Sequence, residues 1–522
     1  MTPVSSFLWW GLPAIYLAAF ALALTVRSHR WVIAHSSAAV ALGGTIAAVI
    51  WSSLPMQSAK NGSDAIGWVV AVLVALLGWV IVRFSQRYLE GEAGQTRYVA
   101  ALLFTLASVS LLILTHHLGV LVLAWFASSL GVHHLLIFYR DRPSAQIVAH
   151  KKFLVSRMAE LCLLVALVLI YKEAGTLTLD GIAAYVSQAH SLSLALHAAA
   201  MLIALAAILK SAQLPLHGWL IQVMEAPTPV SALLHAGIVN MGGFVLIRLA
   251  VLVSAAPGAQ ALLVVVGSLT AVLAGLVMMT RISVKVRLAW STCAQMGFML
   301  MECGLGLYEL ALLHLVAHSL YKAHAFLTAG ETVLVARERD LGRAARSQVP
   351  ALAVASRLML LPVAVALVGA SVAFWQMWLP NLSIHTVAIG IVGLGLAPLL
   401  WVCAGDGKMA IVRGVVRVVL LTQIYLLWHL GFNLLVPALA MPSLPAAVWV
   451  GNCFAFLYVL QVWLLAYPRG ALATRFYRWA YAGFYLDESF TRLTFRVWPA
   501  RMSTTQSGAP SKLRPNLSGK TS

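Results

Sequence analysis

Charge is scarce in this chain, and negative charge is scarcest. Only 10% of the 522 residues are charged, with 16 Asp and Glu against 35 Lys and Arg, while 61% are hydrophobic. That balance excludes an ordinary water-soluble globular domain, in which about a quarter of residues carry charge. Cysteine is rare too. The five present (Cys162, Cys293, Cys303, Cys403 and Cys453) form no C-x-x-C pair, which argues against an iron–sulfur cluster or a structural zinc site. They read as small packing residues. A phosphate-binding P-loop, a dinucleotide fingerprint and an H-E-x-x-H helix are all missing. Energy therefore has to come from an ion gradient or a partner, not from nucleotide hydrolysis through such a loop. Met1 to Phe20 has no basic stretch ahead of its apolar run, so it does not read as a cleavable signal.

What is abundant is apolar sequence in runs of about 20 residues, the length that crosses a bilayer. The pattern predicts an all-α polytopic membrane protein with about 15 transmembrane helices. They fall near 6–26, 31–52, 65–83, 98–115, 117–138, 152–171, 192–223, 228–252, 259–280, 285–303, 306–328, 350–377, 384–403, 409–431 and 445–468. The seventh and twelfth are long and expected to be broken. Basic residues follow the odd-numbered spans, as Arg140, Arg142, Lys151 and Lys152 do after the fifth, and Arg337, Arg339, Arg343 and Arg346 after the eleventh. The positive-inside rule then puts the N-terminus outside and the C-terminus in the cytoplasm. The net charge of +19 is accounted for by these loops and does not call for nucleic acid. Lys151, Lys152 and Arg157 are read as orientation charges. Residues 472–499 mix arginine with aromatics and include Asp487 and Glu488, which predicts an amphipathic segment on the interface or docked to a partner. Residues 503–522 are predicted to be disordered.

Ionisable residues inside spans are expensive and mark function. Lys210 lies in the seventh span, five residues before Pro215, and the next span carries Pro227, Pro229 and His235. A proline inside a membrane helix frees carbonyls that lipid cannot satisfy, so a helix broken there has to face protein or a hydrated cavity. Glu160 lies in the sixth span, one turn from Arg157. His314, His318 and Lys322 in the eleventh are spaced i, i+4, i+8 and share one helix face. Burial disfavours the charged form of acid and base alike, and histidine exchanges protons near neutral pH. Glu160, Lys210, His235, His314, His318 and Lys322 together therefore read as a proton relay. Glu160 can equally be no more than a partner for Arg157. His116, His117, His133, His134 and His324 read as helix-packing residues. His314 and His318 have metal-ligand spacing, but no carboxylate is evident beside them and Lys322 is near, so no metal site is assigned.

The block KSAQLPLHGWLIQVMEAPTPVSALLHAGIVNMGG (210–243) resembles the proton-translocating antiporter-like family, which includes the largest antiporter-like subunit of respiratory complex I and the large Mrp antiporter subunit. HLVAHSLYKAHAFLTAG (314–330), STCAQMGFM (291–299) and GFYLDESFTRL (483–493) are similar to further motifs of that family. The resemblance implies two inverted five-helix repeats, at 98–252 and 259–403, each with a broken helix. Around them lie N-terminal helices in 1–97 and C-terminal helices in 409–468. It also implies that Lys210 is the central lysine of a first half-channel, with His235 beside it, and that His314, His318 and Lys322 link onward. Two departures stand out. Where the family has Trp-Glu, this chain has Trp125-Phe126, so the partner carboxylate of the lysine is missing and Glu160 is the substitute. Residues 366–378 (ALVGASVAFWQMW) lack the lysine of the complex I subunit.

As an altered member of that family, the chain resembles the membrane subunit of a two-component inorganic-carbon accumulation system. That similarity implies a cation-conducting subunit, the cation being the proton first, whose flow drives CO2 hydration at a soluble partner resembling a zinc β-carbonic anhydrase. Zinc is expected in the partner and no cofactor in this chain, which is then not itself an enzyme. The alternative implied is a pumping subunit of a respiratory or hydrogenase-type complex, or a Mrp-type sodium/proton antiporter. A third reading is a membrane scaffold that conducts nothing.

Overall fold

The computed structural model describes residues 3–52, 64–331, 354–380, 382, 384–404, 408–436 and 442–498. The arginine-rich 332–353 and the tail 503–522, expected to be disordered, lie outside them. Within the described residues the regular structure is helical, apart from an isolated bridge between His117 and Thr178. Lipid supplies no hydrogen-bond partner, so a spanning segment has to satisfy its own backbone, which a helix does.

The helices in chain order are α1 (Pro3–Thr25), α2 (Arg30–Ser52), α3 (Ala65–Tyr88), α4 (Gln95–Leu114), α5 (Leu118–Leu136), α6 (Pro143–Ala174), α7 (Leu179–Gln188), α8 (Leu194–Lys210), α9 (Gly218–Ile221), α10 (Thr228–Ala236), α11 (Met241–Arg248), α12 (Ala250–Ser254), α13 (Pro257–Met279), α14 (Val284–Gly304), α15 (Tyr308–Leu327), α16 (Val354–Trp378), α17 (Thr386–Ala404), α18 (Lys408–Asn433), α19 (Leu444–Ala466), α20 (Ala471–Tyr481) and α21 (Leu486–Val497). Among the described residues, 10 helices are long and apolar enough to cross a membrane, and α1, α8 and α17 contain shorter apolar helices. Local signals set several ends. Asp64 caps α3 by accepting from Gly67 N at 2.9 Å, and Pro143 and a left-handed Gly175 bound α6, as expected at helix starts and stops. Helices α13 and α14 touch backbone to backbone. A Cβ on Gly267 would stand 2.5 Å from Gly297 O, and one on Gly297 would stand 2.6 Å from Gly267 O. Such small-residue contacts are how membrane helices approach closely.

The seventh predicted span is broken as expected. Helix α8 stops at Lys210, Ala212 adopts φ 51, Leu214–Pro215 is cis, and the helix resumes only as the four-residue α9. The freed backbone is met by other helices. Cys293 Sγ donates to Ala212 O at 3.2 Å, and Leu214 N donates to Thr270 Oγ1 at 3.3 Å. Cys293 therefore does more than pack.

Four expectations need correction. Pro227 and Pro229 do not break a helix: Pro227 caps α10 and Pro229 lies in its first turn, where a missing N–H is harmless. The eighth span, given as a single run over 228–252, is interrupted after His235. The chain passes Gly237 and a 3-10 turn, Ile238–Asn240, before α11. The twelfth span is not broken over its described part, since α16 runs from Val354 to Trp378 with Pro362 inside it. The described part of 472–499, up to residue 498, holds two helices, not one, because Gly483, Phe484 and Tyr485 all take positive φ between α20 and α21. Residues 226–247 are buried without exception. Helices α10 and α11 therefore stand inside the bundle with no lipid face, as a helix apolar all round should.

Candidate ion pathway

The first cluster is built by α5, α6 and α8. Lys210, the last residue of α8, donates to Glu160 Oε1 at 2.9 Å and to Ser129 Oγ at 2.8 Å, and its ammonium lies 5.1 Å from the centre of the Trp125 ring. Glu160 and Lys210 side chains are only 7% and 6% exposed, so the pair is out of water. Arg157 Nη2 stands 2.7 Å from the other oxygen of Glu160. Its guanidinium lies 4.3 Å from the Phe126 ring centre and 4.7 Å from that of Phe153. The position that lacks the expected carboxylate thus holds an aromatic platform for an arginine. The carboxylate comes instead from α6, and both pairings foreseen for Glu160 occur together.

Lys152 belongs to the same cluster. It is 4% exposed and donates to Ser129 O at 3.1 Å, so the hydroxyl and the carbonyl of one serine hold two lysines. Lys151 is fully buried and donates to Asp487 Oδ2 at 2.8 Å and Gln222 Oε1 at 3.1 Å. Lys151, Lys152 and Arg157, read as orientation charges, all have partners within the protein: both lysines are buried, and Arg157, 28% exposed, is held by Glu160. At 32 residues, α6 is about 48 Å long, longer than a bilayer core, so its first turns can carry lysines that pack inside the protein beyond the hydrocarbon.

Asp487 is corrected as well. It was expected to dock a partner, but it ties α21 back to the bundle, accepting from Lys151, from Gln222 Nε2 at 3.3 Å and from Thr491 Oγ1 at 3.2 Å. A Cβ on Gly218 would stand 1.6 Å from Asp487 Oδ1, so only glycine admits the carboxylate there. Trp498 stacks on His150 at 4.0 Å beside this tie. Glu488 is exposed, 3.7 Å from Arg492.

The second cluster is built by α10, α14 and α15. The face anticipated for His314, His318 and Lys322 is real. His314 Nδ1 lies 2.9 Å from Glu302 Oε2. The His314 and His318 rings are 6.0 Å apart, and His318 Nε2 donates to His235 O at 3.3 Å. Lys322 donates to Leu288 O at 3.0 Å and Ser291 Oγ at 2.8 Å. His235 stacks on Phe326 at 4.4 Å, and neither of its ring nitrogens has a hydrogen-bond partner among the described residues. The structure puts His235 with His318; no hydrogen bond joins it to Lys210 among the described residues. Helix α10 nonetheless packs against both α5 and α15, so His235 stands on the element between the two clusters.

Glu302 is absent from the sequence-based set, and its place beside His314 corrects the expectation of no carboxylate there. The signal was a glutamate in the apolar run Met301–Glu302–Cys303, at the very end of the predicted tenth span. A cavity of about 210 Å³ is lined by Glu302, His314 and Tyr425. A second, of about 420 Å³, shares Gln295, Phe298 and Ile391 with it and reaches Ser291, the partner of Lys322. Elsewhere Arg248, at the end of α11, pairs with Asp64, and His116 Nε2 lies 3.5 Å from the same carboxylate. His116 thus lies against an ion pair and does not merely pack.

Comparison with known proteins fixes the kinship. The family model for the transmembrane part of NADH:quinone oxidoreductase and Mrp antiporter matches residues 115–371. A probable inorganic carbon transporter subunit DabB from Hydrogenovibrio crunogenus is 43% identical over 456 residues, 87% of this chain and 86% of the relative. The chain belongs to the DabB family. A probable DabB2 subunit from Halothiobacillus neapolitanus is 40% identical over 468 residues, 86% of this chain and 83% of the relative. In fold, this DabB family member is similar to the Mrp complex from Dietzia sp. DQ12-45-1b, with a TM-score of 0.55 and 24% identity, covering 94% of this chain and 55% of that one. DabB kinship, the antiporter-type domain and the apolar helices make it a multi-pass, antiporter-like membrane protein.

Proposed function

We propose that the chain conducts protons through the membrane and couples their flow to inorganic-carbon accumulation by a soluble partner. The observation that carries this reading is the buried Glu160–Lys210 pair, 2.9 Å apart, with Arg157 on the same carboxylate. A lysine held between a carboxylate and a serine hydroxyl in a low-dielectric setting can change its charge as neighbouring charges move. From there the route runs by way of His235 to His318 and His314, with Lys322 as a branch. Water is small enough to partner the two bare nitrogens of His235 and needs only a few polar contacts to be held.

In this reading the 10 long apolar helices, the three shorter ones and α14 and α15 are the fifteen crossings. Residues 98–252 and 259–403 are inverted repeats, and the protein sits in the bacterial inner membrane with its N-terminus outside and its C-terminus in the cytoplasm. The partner is a DabA-like subunit resembling a zinc β-carbonic anhydrase, where CO2 is hydrated. Zinc belongs to that subunit. The relatives are named as subunits, which supports the existence of a partner. The phenylalanine at 126 and the uncharged 366–378 stretch favour it over a complex I type pump.

Affinity purification of the tagged full chain from its own membranes tests the partnership. A large soluble subunit containing zinc is expected to co-purify in fixed ratio. Recovery with quinone-reducing or hydrogenase subunits, and no zinc protein, contradicts it.

A further inference from the structure

The relay has a defined start at Lys210 but lacks an obvious far end. Helix α16 bears no ionisable side chain between 366 and 378, so it offers no station for a proton leaving α15. Glu302 does. It occupies the last turn of α14, its side chain is 8% exposed, and it meets His314 at 2.9 Å. His314 Nε2 and Tyr425 Oη, which belong to residues lining the same cavity, are buried without a hydrogen-bond partner among the described residues. A cavity of about 210 Å³ has room for several waters at about 30 Å³ each, and these bare polar atoms are what waters would bind. Along α15, His314 and Lys322 are about 12 Å apart. The Glu302 end is thus remote from Lys322, whose partners Leu288 and Ser291 belong to the opposite end of α14.

We propose that Glu302, paired with His314 over this cavity, is the terminal proton-exchange site of the relay, taking up or releasing protons at the end of the bundle where α14 finishes. The inference rests on the proton-conducting reading above. In the uptake direction, a proton reaching the cavity protonates Glu302. It passes from Oε2 to His314 Nδ1 while His314 gives up the proton on Nε2 toward His318, and Glu302 returns to carboxylate. The ligand is a proton and not a metal cation. A hard cation needs a shell of six or more oxygens, whereas the cavity wall is mostly Leu, Phe, Met, Ala, Ile and Val, and an imidazole already occupies one carboxylate oxygen.

The test is proton flux into proteoliposomes holding the full chain with its co-purified subunits, driven by an imposed pH gradient and read by an interior pH dye. Wild type conducts and Lys210→Met does not, which secures the underlying reading; a non-conducting wild type defeats that reading itself. Given both, Glu302→Gln is expected to cut flux at least about tenfold, roughly 1.4 kcal/mol on the rate-limiting step. Flux equal to wild type in Glu302→Gln overturns the inference and leaves the first reading intact. A second measurement needs no variant. A hydrophobic carbodiimide modifies protonated carboxyl groups in apolar surroundings, and peptide mapping of treated wild type is expected to find the adduct on Glu302. Its absence from Glu302 overturns the inference.

Discussion

Lys210→Met leaves the chain in the membrane but lowers inorganic-carbon accumulation to the level of cells without it. Methionine keeps an unbranched stem to pack against Trp125 and removes only the ammonium. Glu160 is not orphaned, because Arg157 still stands 2.7 Å away. What is lost structurally is one donor to Ser129 and one to Glu160, each about 1–3 kcal/mol, within the margin of a folded protein. Loss of accumulation with unchanged protein in the membrane fraction then reports the missing charge. Uptake of labelled inorganic carbon, set beside an immunoblot of that fraction, measures both. Full uptake in this variant removes Lys210 from the path.

Glu160→Ala fails in a different way. One carboxylate serves Lys210 and Arg157, with Lys152 held on the same Ser129 that Lys210 uses. Removing it leaves buried cations uncompensated, a change worth about 3–5 kcal/mol of stability. Thermal melting in detergent is expected to show the drop. Adding Lys210→Met to Glu160→Ala takes one cation away, so the double variant melts above the single one, with a coupling of roughly 0.5–3 kcal/mol. Identical melting of single and double variants contradicts the shared-carboxylate geometry. The contrast matters for function: the lysine can be removed with the fold kept, while the glutamate holds both the fold and the charge state.

Local pattern made part of this legible. Lys210 stood out because a charge in an apolar run is costly, and Pro215 marked the break because proline cannot continue a helix. The 314, 318, 322 spacing fixed a shared face before any packing was known. Contacts between distant segments leave no such trace. Lys151 finds Asp487 336 residues later, so from local sequence it reads as a loop charge and Asp487 as a surface acid. Lys152 turns inward only because Ser129 O waits on α5. The break after His235 sits at a glycine, a weaker punctuation than the two prolines before it, which instead start α10. Glu302 was hidden by its position at a predicted span end, where a loop glutamate is unremarkable. Family resemblance supplied the expectation of an all-helical, antiporter-type fold, and the structure showed where one motif does not carry over: Phe126 serves Arg157 instead of a lysine's partner acid.

The central claim is that a proton gradient, passed through this chain, drives carbon accumulation. Its most direct test is accumulation of labelled inorganic carbon in cells expressing the chain with its partner, before and after a protonophore collapses the gradient. Accumulation is expected to fall to background within the time the gradient takes to dissipate. Accumulation that continues at full rate with the proton gradient gone contradicts the account.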